Sequence, residues 1–71
     1  MGYRKSAIQS MLLKAESDKA KALTSLNILL DHPAGIGDHS TSDLHENLES
    51  ALSDLADADD RIETLERYFI E

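Results

Sequence analysis

No cysteine occurs in the chain, so neither a disulfide framework nor a thiolate-ligated metal centre is available to it, as expected in a reducing compartment. Tryptophan is also missing, and the aromatic residues are Tyr3, Tyr68 and Phe69 alone. A core built on large rings is therefore excluded, and whatever is buried must be aliphatic. Glycine and proline are nearly confined to residues 31–40, "DHPAGIGDHS", which hold Pro33, Gly35 and Gly37. The rest of the chain contains no helix breaker beyond Gly2. Long apolar runs are absent too: after Arg4 and Lys5 no sustained hydrophobic stretch precedes Glu16 and Asp18. That pattern predicts neither a signal peptide nor a membrane span, and hence a cytoplasmic protein with no membrane partner.

Bases are few as well. Seven Lys and Arg stand against fourteen Asp and Glu, a net charge of −7. Residues 1–31 carry +2 and residues 32–71 carry −9. Direct nucleic-acid binding requires Lys and Arg to displace counterions from phosphates, and this balance argues against it. Protein partners, self-association or mimicry of a polyanion remain. At 71 residues the chain is one domain at most, near the size where a single core supplies only a few kcal/mol. Such a chain has to associate or find unusual compactness.

What is present is helical. From Ser6 to about Asp31 the residues are good helix formers, with Ser6 and Gln9 spaced as a capping box. Pro33 holds His32 in an extended conformation, and Gly35 and Gly37 can take the positive-φ values that follow a helix end, so the first helix is predicted to stop near Asp31. Ser40 as N-cap with Asp43 three positions later opens a second helix, about 41–69, after a loop at 32–40. The second helix repeats Leu44, Leu48, Ala51, Leu55, Ala58, Ile62, Leu65 and Phe69 at alternating steps of four and three, a heptad seam. The first helix supplies Ile8, Leu12, Ala15, Lys19, Ala22, Leu26 and Leu29 in the same rhythm.

Folding the chain about Ile36 and Gly37 pairs these seams at constant residue sums of 73 or 74. Leu29 meets Leu44, Ala22 meets Ala51, Ala15 meets Ala58 and Leu12 meets Ile62. Matched alanine layers let helix axes approach toward the short end of the 8–10 Å range, roughly, while mismatched layers would leave voids. The expected fold is all-α, an antiparallel two-helix hairpin of coiled-coil character. Met11, Leu23, Leu30 and Leu52 lie beside the seams and widen each apolar stripe, which predicts completion of a four-helix bundle by homodimerisation through those residues. Lys19, the one charge in the seam, is expected to snorkel, to pair with Asp54 or Asp59, or to fix the register.

The chemistry-bearing residues weigh toward structure. His32, Asp38 and His39, with Asp31 and His45, are ligand types for a transition metal, but no two histidines have the spacing of a metal motif, so turn and cap roles are preferred and no metal or cofactor is expected. "GIGDHS" ahead of a helix could cradle an anion on backbone N–H groups. It follows a helix rather than a strand, however, and Asp38 repels phosphate. "DLADADD" shares composition with a calcium loop but lacks its glycine and terminal glutamate. No cysteine nucleophile or scaffolded Ser-His-Asp set exists, so no catalytic residue is assigned and the protein reads as non-enzymatic. Should a small-ligand site exist at an oligomer interface, it falls on His32, Gly35, Gly37, Asp38 and His39. Tyr3, Tyr68 and Phe69, gathered with Ile70 at the open end, form either an end cap or a partner patch.

The combination "HPAGIGDHS" and "ADADDRIETLERYF" resembles a group of small uncharacterised proteins encoded by tailed phages of marine bacteria, cyanophages especially. Pro33, Gly35, Ile36, Gly37, Asp38 and His39 carry the loop part of the likeness, and Ala56 to Asp60 the helix part. The resemblance implies expression in a bacterial host cytoplasm and no particular activity. The overall expectation is a self-associating hairpin that binds a host or viral protein, as a phage accessory protein or within viral assembly. Its rivals are a nucleotide or metal binder using the glycine loop, and an acidic DNA mimic.

Overall fold

The computed structural model describes residues 2–31 and 41–70. Helix α1 spans Gly2–Asp31 and helix α2 spans Thr41–Tyr68. They pack on one another as a hairpin. Their antiparallel sense shows in what lies together: Ile8 near Phe69 at one end, Leu29 near Asn47 toward the other.

The first helix starts four residues before the expected boundary. Tyr3, Arg4 and Lys5 contain no breaker, and once a helix is nucleated each further residue adds a hydrogen bond at little cost. Ser6 is thus an interior residue rather than a cap. The described part of α1 runs to Asp31. The loop at 32–40, including Ser40 and the fold-back at Ile36 and Gly37, lies outside the described residues. In α2, Asp43 occupies the first turn, where an acid suits the helix dipole. The helix finishes at Tyr68, with the N–H groups of Phe69 and Ile70 both donating to the Leu65 carbonyl, at 2.9 and 3.1 Å.

Burial follows the heptad seam. Among the described residues, those withdrawn from solvent in α1 are Ile8, Leu12, Ala15, Lys19, Ala22, Leu26 and Leu29, joined only by Asp18. In α2 they are Leu44, Leu48, Ala51, Leu55, Ala58, Ile62 and Leu65, joined only by Arg61. Ala15 and Ala58 are completely covered. Small side chains at these layers bring the helices close, so the deepest part of the interface is alanine against backbone and neighbouring leucines. Phe69 departs from the seam: it lies past the end of α2, half exposed, and lines a groove with Ile8 and Leu12.

Lys19 reaches out of the seam to Asp59, with Nζ 3.1 Å from the carboxylate. A residue sum of 73 or 74 sets Lys19 level with Leu55, one turn short of Asp59. The physical reason for the offset is that helical side chains lean toward their own N-terminus. In an antiparallel pair that lean carries long side chains of both helices toward partners with a higher residue sum. The Asp18–Arg61 pair shows the same displacement.

The resulting body is a rod, 54 × 16 × 15 Å, with a radius of gyration of 15.8 Å. A compact globule of this length would have a radius of about 11 Å. No large side chain is fully buried among the described residues. The outer surfaces of the helices differ. Exposed positions of α1 carry Met11, Leu13, Leu23, Ile28 and Leu30, whereas those of α2 are mainly acidic, with Leu52 the apolar exception along its length before Tyr68.

Candidate functional site

With the seam positions taken as a and d of a heptad, each hairpin flank is defined by the g positions of both helices or by the e positions of both. The g flank is polar and already paired. Lys14 donates from Nζ to both carboxylate oxygens of Asp18, at 2.8 and 2.9 Å. From the other helix, Arg61 donates through Nη2 to Asp18 at 2.9 Å and through Nε to Asp57 at 3.0 Å. A charge chain Lys14–Asp18–Arg61–Asp57 therefore straps α1 to α2. The Asp18 and Arg61 side chains retain 24% and 39% of their exposure, which leaves the pair partly screened by water. An open groove of about 630 Å³ continues along this flank, with Ala22, Ala51 and Leu29 at its floor and Lys21, Ser25 and Asp54 along its walls.

Hydrogen bonds from Lys14 and then Arg61 hold the Asp18 carboxyl below the usual carboxylate range, against a smaller opposing effect of burial. The bond to Asp18 likewise raises the already high pKa of Arg61. A depressed folded-state pKa contributes stability that is present above the ordinary aspartate range and is lost as pH falls through the folded-state value. The native chain is therefore expected to melt slightly higher than Asp18→Asn at neutral pH, with the gap closing as acid is added below the usual aspartate range. Thermal melts of both proteins across that range check this; a gap that widens in acid contradicts it.

The e flank is different in kind. It carries Leu23 and Leu30 from α1 and Leu52 from α2, all substantially exposed. Of the four residues expected to form the self-association surface, these three share one side of the hairpin. Met11 does not join them: it lies on the g flank, lining a groove with Lys14, Arg61 and Leu65. Sequence spacing alone treated every apolar residue beside the seam as equivalent, while the two flanks face opposite ways. Ile28, exposed at the groove on the g flank, and Leu13, exposed toward the e side, were also passed over. The Asp18–Arg61 strap was missed too, although opposite charges at flanking g positions of paired helices are a readable signal.

At the open end, Phe69 and Ile70 turn back over Ile8 and Leu12, forming a groove of about 440 Å³ with the stems of Arg4 and Lys5. Tyr3 and Tyr68 stand in solvent, 86% and 67% exposed. Tyr68 makes an edge contact with Phe69, ring centroids 6.5 Å apart, and Arg67 sits 5.9 Å from the Tyr68 ring centre. The expected patch thus splits, Phe69 capping the helix pair while the two tyrosines remain available.

His32, Gly35, Gly37, Asp38 and His39 lie outside the described residues. His45 is exposed on α2. Among the described residues no three His, Asp or Glu side chains are arranged to hold a metal ion, and no helix is long and apolar enough to cross a membrane. No side-chain polar atom among them is buried without a hydrogen-bond partner. The hairpin thus presents two contrasting flanks and an aromatic end. The chain matches no protein-family model, and comparison with curated proteins and with solved structures found no match.

Proposed function

We propose that the protein is a non-enzymatic helical hairpin that associates with itself and acts by binding another macromolecule. The observation that carries this reading is the mismatch between apolar content and burial. No large side chain is fully buried among the described residues, while Leu13, Leu30 and Leu52 each stay more than half exposed. Exposed aliphatic surface on this scale marks an interaction site rather than a solvated rod. Dimerisation into a four-helix bundle would supply the layer that two helices cannot provide. The tyrosines at the open end are then the surface left for a partner of different sequence. The resemblance of the loop and second helix to tailed-phage proteins makes a host or viral protein in a bacterial cytoplasm the expected class of partner, in host modulation or viral assembly.

The test has two arms. Light scattering and sedimentation of the pure protein at tens of micromolar are expected to give a mass above that of one chain, 7.8 kDa. Affinity capture from bacterial lysate is expected to retain a protein that a Tyr3→Ser, Tyr68→Ser variant does not. A strictly monomeric species across the concentration range would overturn self-association. Identical captures by native and variant chains would overturn the tyrosine patch.

A further inference from the structure

The exposed leucines at e positions are confined to one half of the rod; Leu13, one step outside that flank, lies in the other half. Leu23 and Leu52 stand almost level across the hairpin, Leu30 lies beyond them toward the Asp31/Thr41 end, and all three are open to solvent. At the e positions of the other half stand Gln9, Glu16 and Glu66, all exposed. An apolar half and an acidic half on one face constrain how that face can be covered.

We propose that a second copy of the chain covers this flank, with the two hairpins side by side and their Asp31/Thr41 ends together, so that Leu23 and Leu52 of each protomer form one four-leucine layer. The inference rests on the self-association reading and specifies its geometry. Surface area identifies the occupant. The chain exposes 5479 Å², whereas a folded monomer of this mass exposes roughly 4,400 Å². The excess of roughly 1,100 Å² is of the size that each partner of a standard interface covers, about 800 Å². A second copy covers it on both chains at once and supplies the core that one hairpin lacks.

Orientation follows from the segregation. A two-fold axis along the rod sets leucines on leucines, because every residue meets its own level in the partner. An axis across the rod would instead lay the leucines of one chain largely on Glu16 and Glu66 of the other, burying carboxylates against aliphatic groups with His45 as the one basic side chain near them. The side-by-side arrangement does bring the acidic halves near one another. They meet at the open end in solvent, where salt screens the repulsion. Association is therefore expected to tighten as sodium chloride is raised.

The absence of cysteine allows the geometry to be measured directly, since Ser10→Cys, Ser17→Cys and Asp31→Cys each place one spin label on the outer surface of α1. In the proposed dimer the label-to-label distance is the same at all three sites. In the crossed arrangement the axial part of that distance grows by about 3 Å for each residue away from the axis, twice the helical rise, so the distance is shortest at Ser17 and longest at Asp31. Distances that vary in this way in a protein that still sediments as a dimer overturn the geometry and leave self-association standing; a monomer overturns both. Leu52→Glu is expected to raise the dimer dissociation constant by about tenfold or more, an effect read by sedimentation. Its helix content should be unchanged, because Leu52 is half exposed. Met11→Glu, on the opposite flank, is expected to leave the dimer intact. A dimer broken by Met11→Glu but not by Leu52→Glu, or one weakened by salt, also overturns the proposal.

Discussion

Ala58→Leu is expected to destabilise the fold by about 3 kcal/mol, the upper part of the range for overpacking a filled core. Ala58 and Ala15 are each fully covered, and both belong to the alanine layers of the seam. The added isopropyl group has no open space to enter, because Ala58 is already covered. It must either push the helix axes apart, which loosens Leu12, Ile62 and Leu55 in the neighbouring layers, or adopt a strained rotamer. A chain of this length has a total stability of about 4 to 10 kcal/mol, so the variant should be largely unfolded at temperatures where the native protein is intact. Urea unfolding followed by circular dichroism, at one fixed protein concentration, measures the change. Fixing the concentration matters because self-association adds to apparent stability. A loss below about 0.5 kcal/mol, the size expected of a surface substitution, would show that the alanine layers are not in close contact.

Leu29→Ala acts by the opposite mechanism and should cost about 2 to 3 kcal/mol, the low end for truncating a buried leucine. Leu29 is one of the two most buried large side chains described, the other being Leu65. It stands at the floor of the g-flank groove beside Ala51 and Asn47, so the space it vacates opens to water instead of remaining a sealed cavity. That limits the penalty. For a domain of this size the melting temperature should fall by about 4–8 °C for each kcal/mol lost. Leu13→Ala, on exposed surface of the same helix, is the comparison: it should change stability by less than about 0.5 kcal/mol. Equal effects from the two truncations would mean that the seam is not the core.

The heptad seam was legible because it depends on a single physical rule. A helix turns 100° per residue, so steps of three and four place residues on one stripe, and burial in the structure falls on that stripe from Ile8 to Leu29 and from Leu44 to Leu65. The stop expected from Pro33 lies outside the described residues, which carry α1 as far as Asp31. The beginning of α1 was not legible. Ser6 is a good cap by type, but capping is a local preference that one more turn of favourable propagation overrides, and the helix runs back to Gly2. Phe69 fitted the heptad arithmetic to the end, yet the helix closes at Tyr68, and beyond that point the arithmetic has no meaning.

The site was less legible than the fold, because a flank exists only once two helices have met. By itself the sequence determined the helices, the stripe each would bury, the absence of thiol chemistry and the uneven charge, all properties of residue type and spacing along one chain. Only the tertiary structure decided that Met11 lies on one flank and Leu23, Leu30 and Leu52 on the other, and that Lys19 takes Asp59 as its partner. It likewise decided that Asp18 and Arg61 bind the helices together across the seam. The Lys19 partner depends on the lean of each side chain toward its own N-terminus, and the flanks become separate surfaces only when the helices pack, although the heptad positions that define them can be read along the chain.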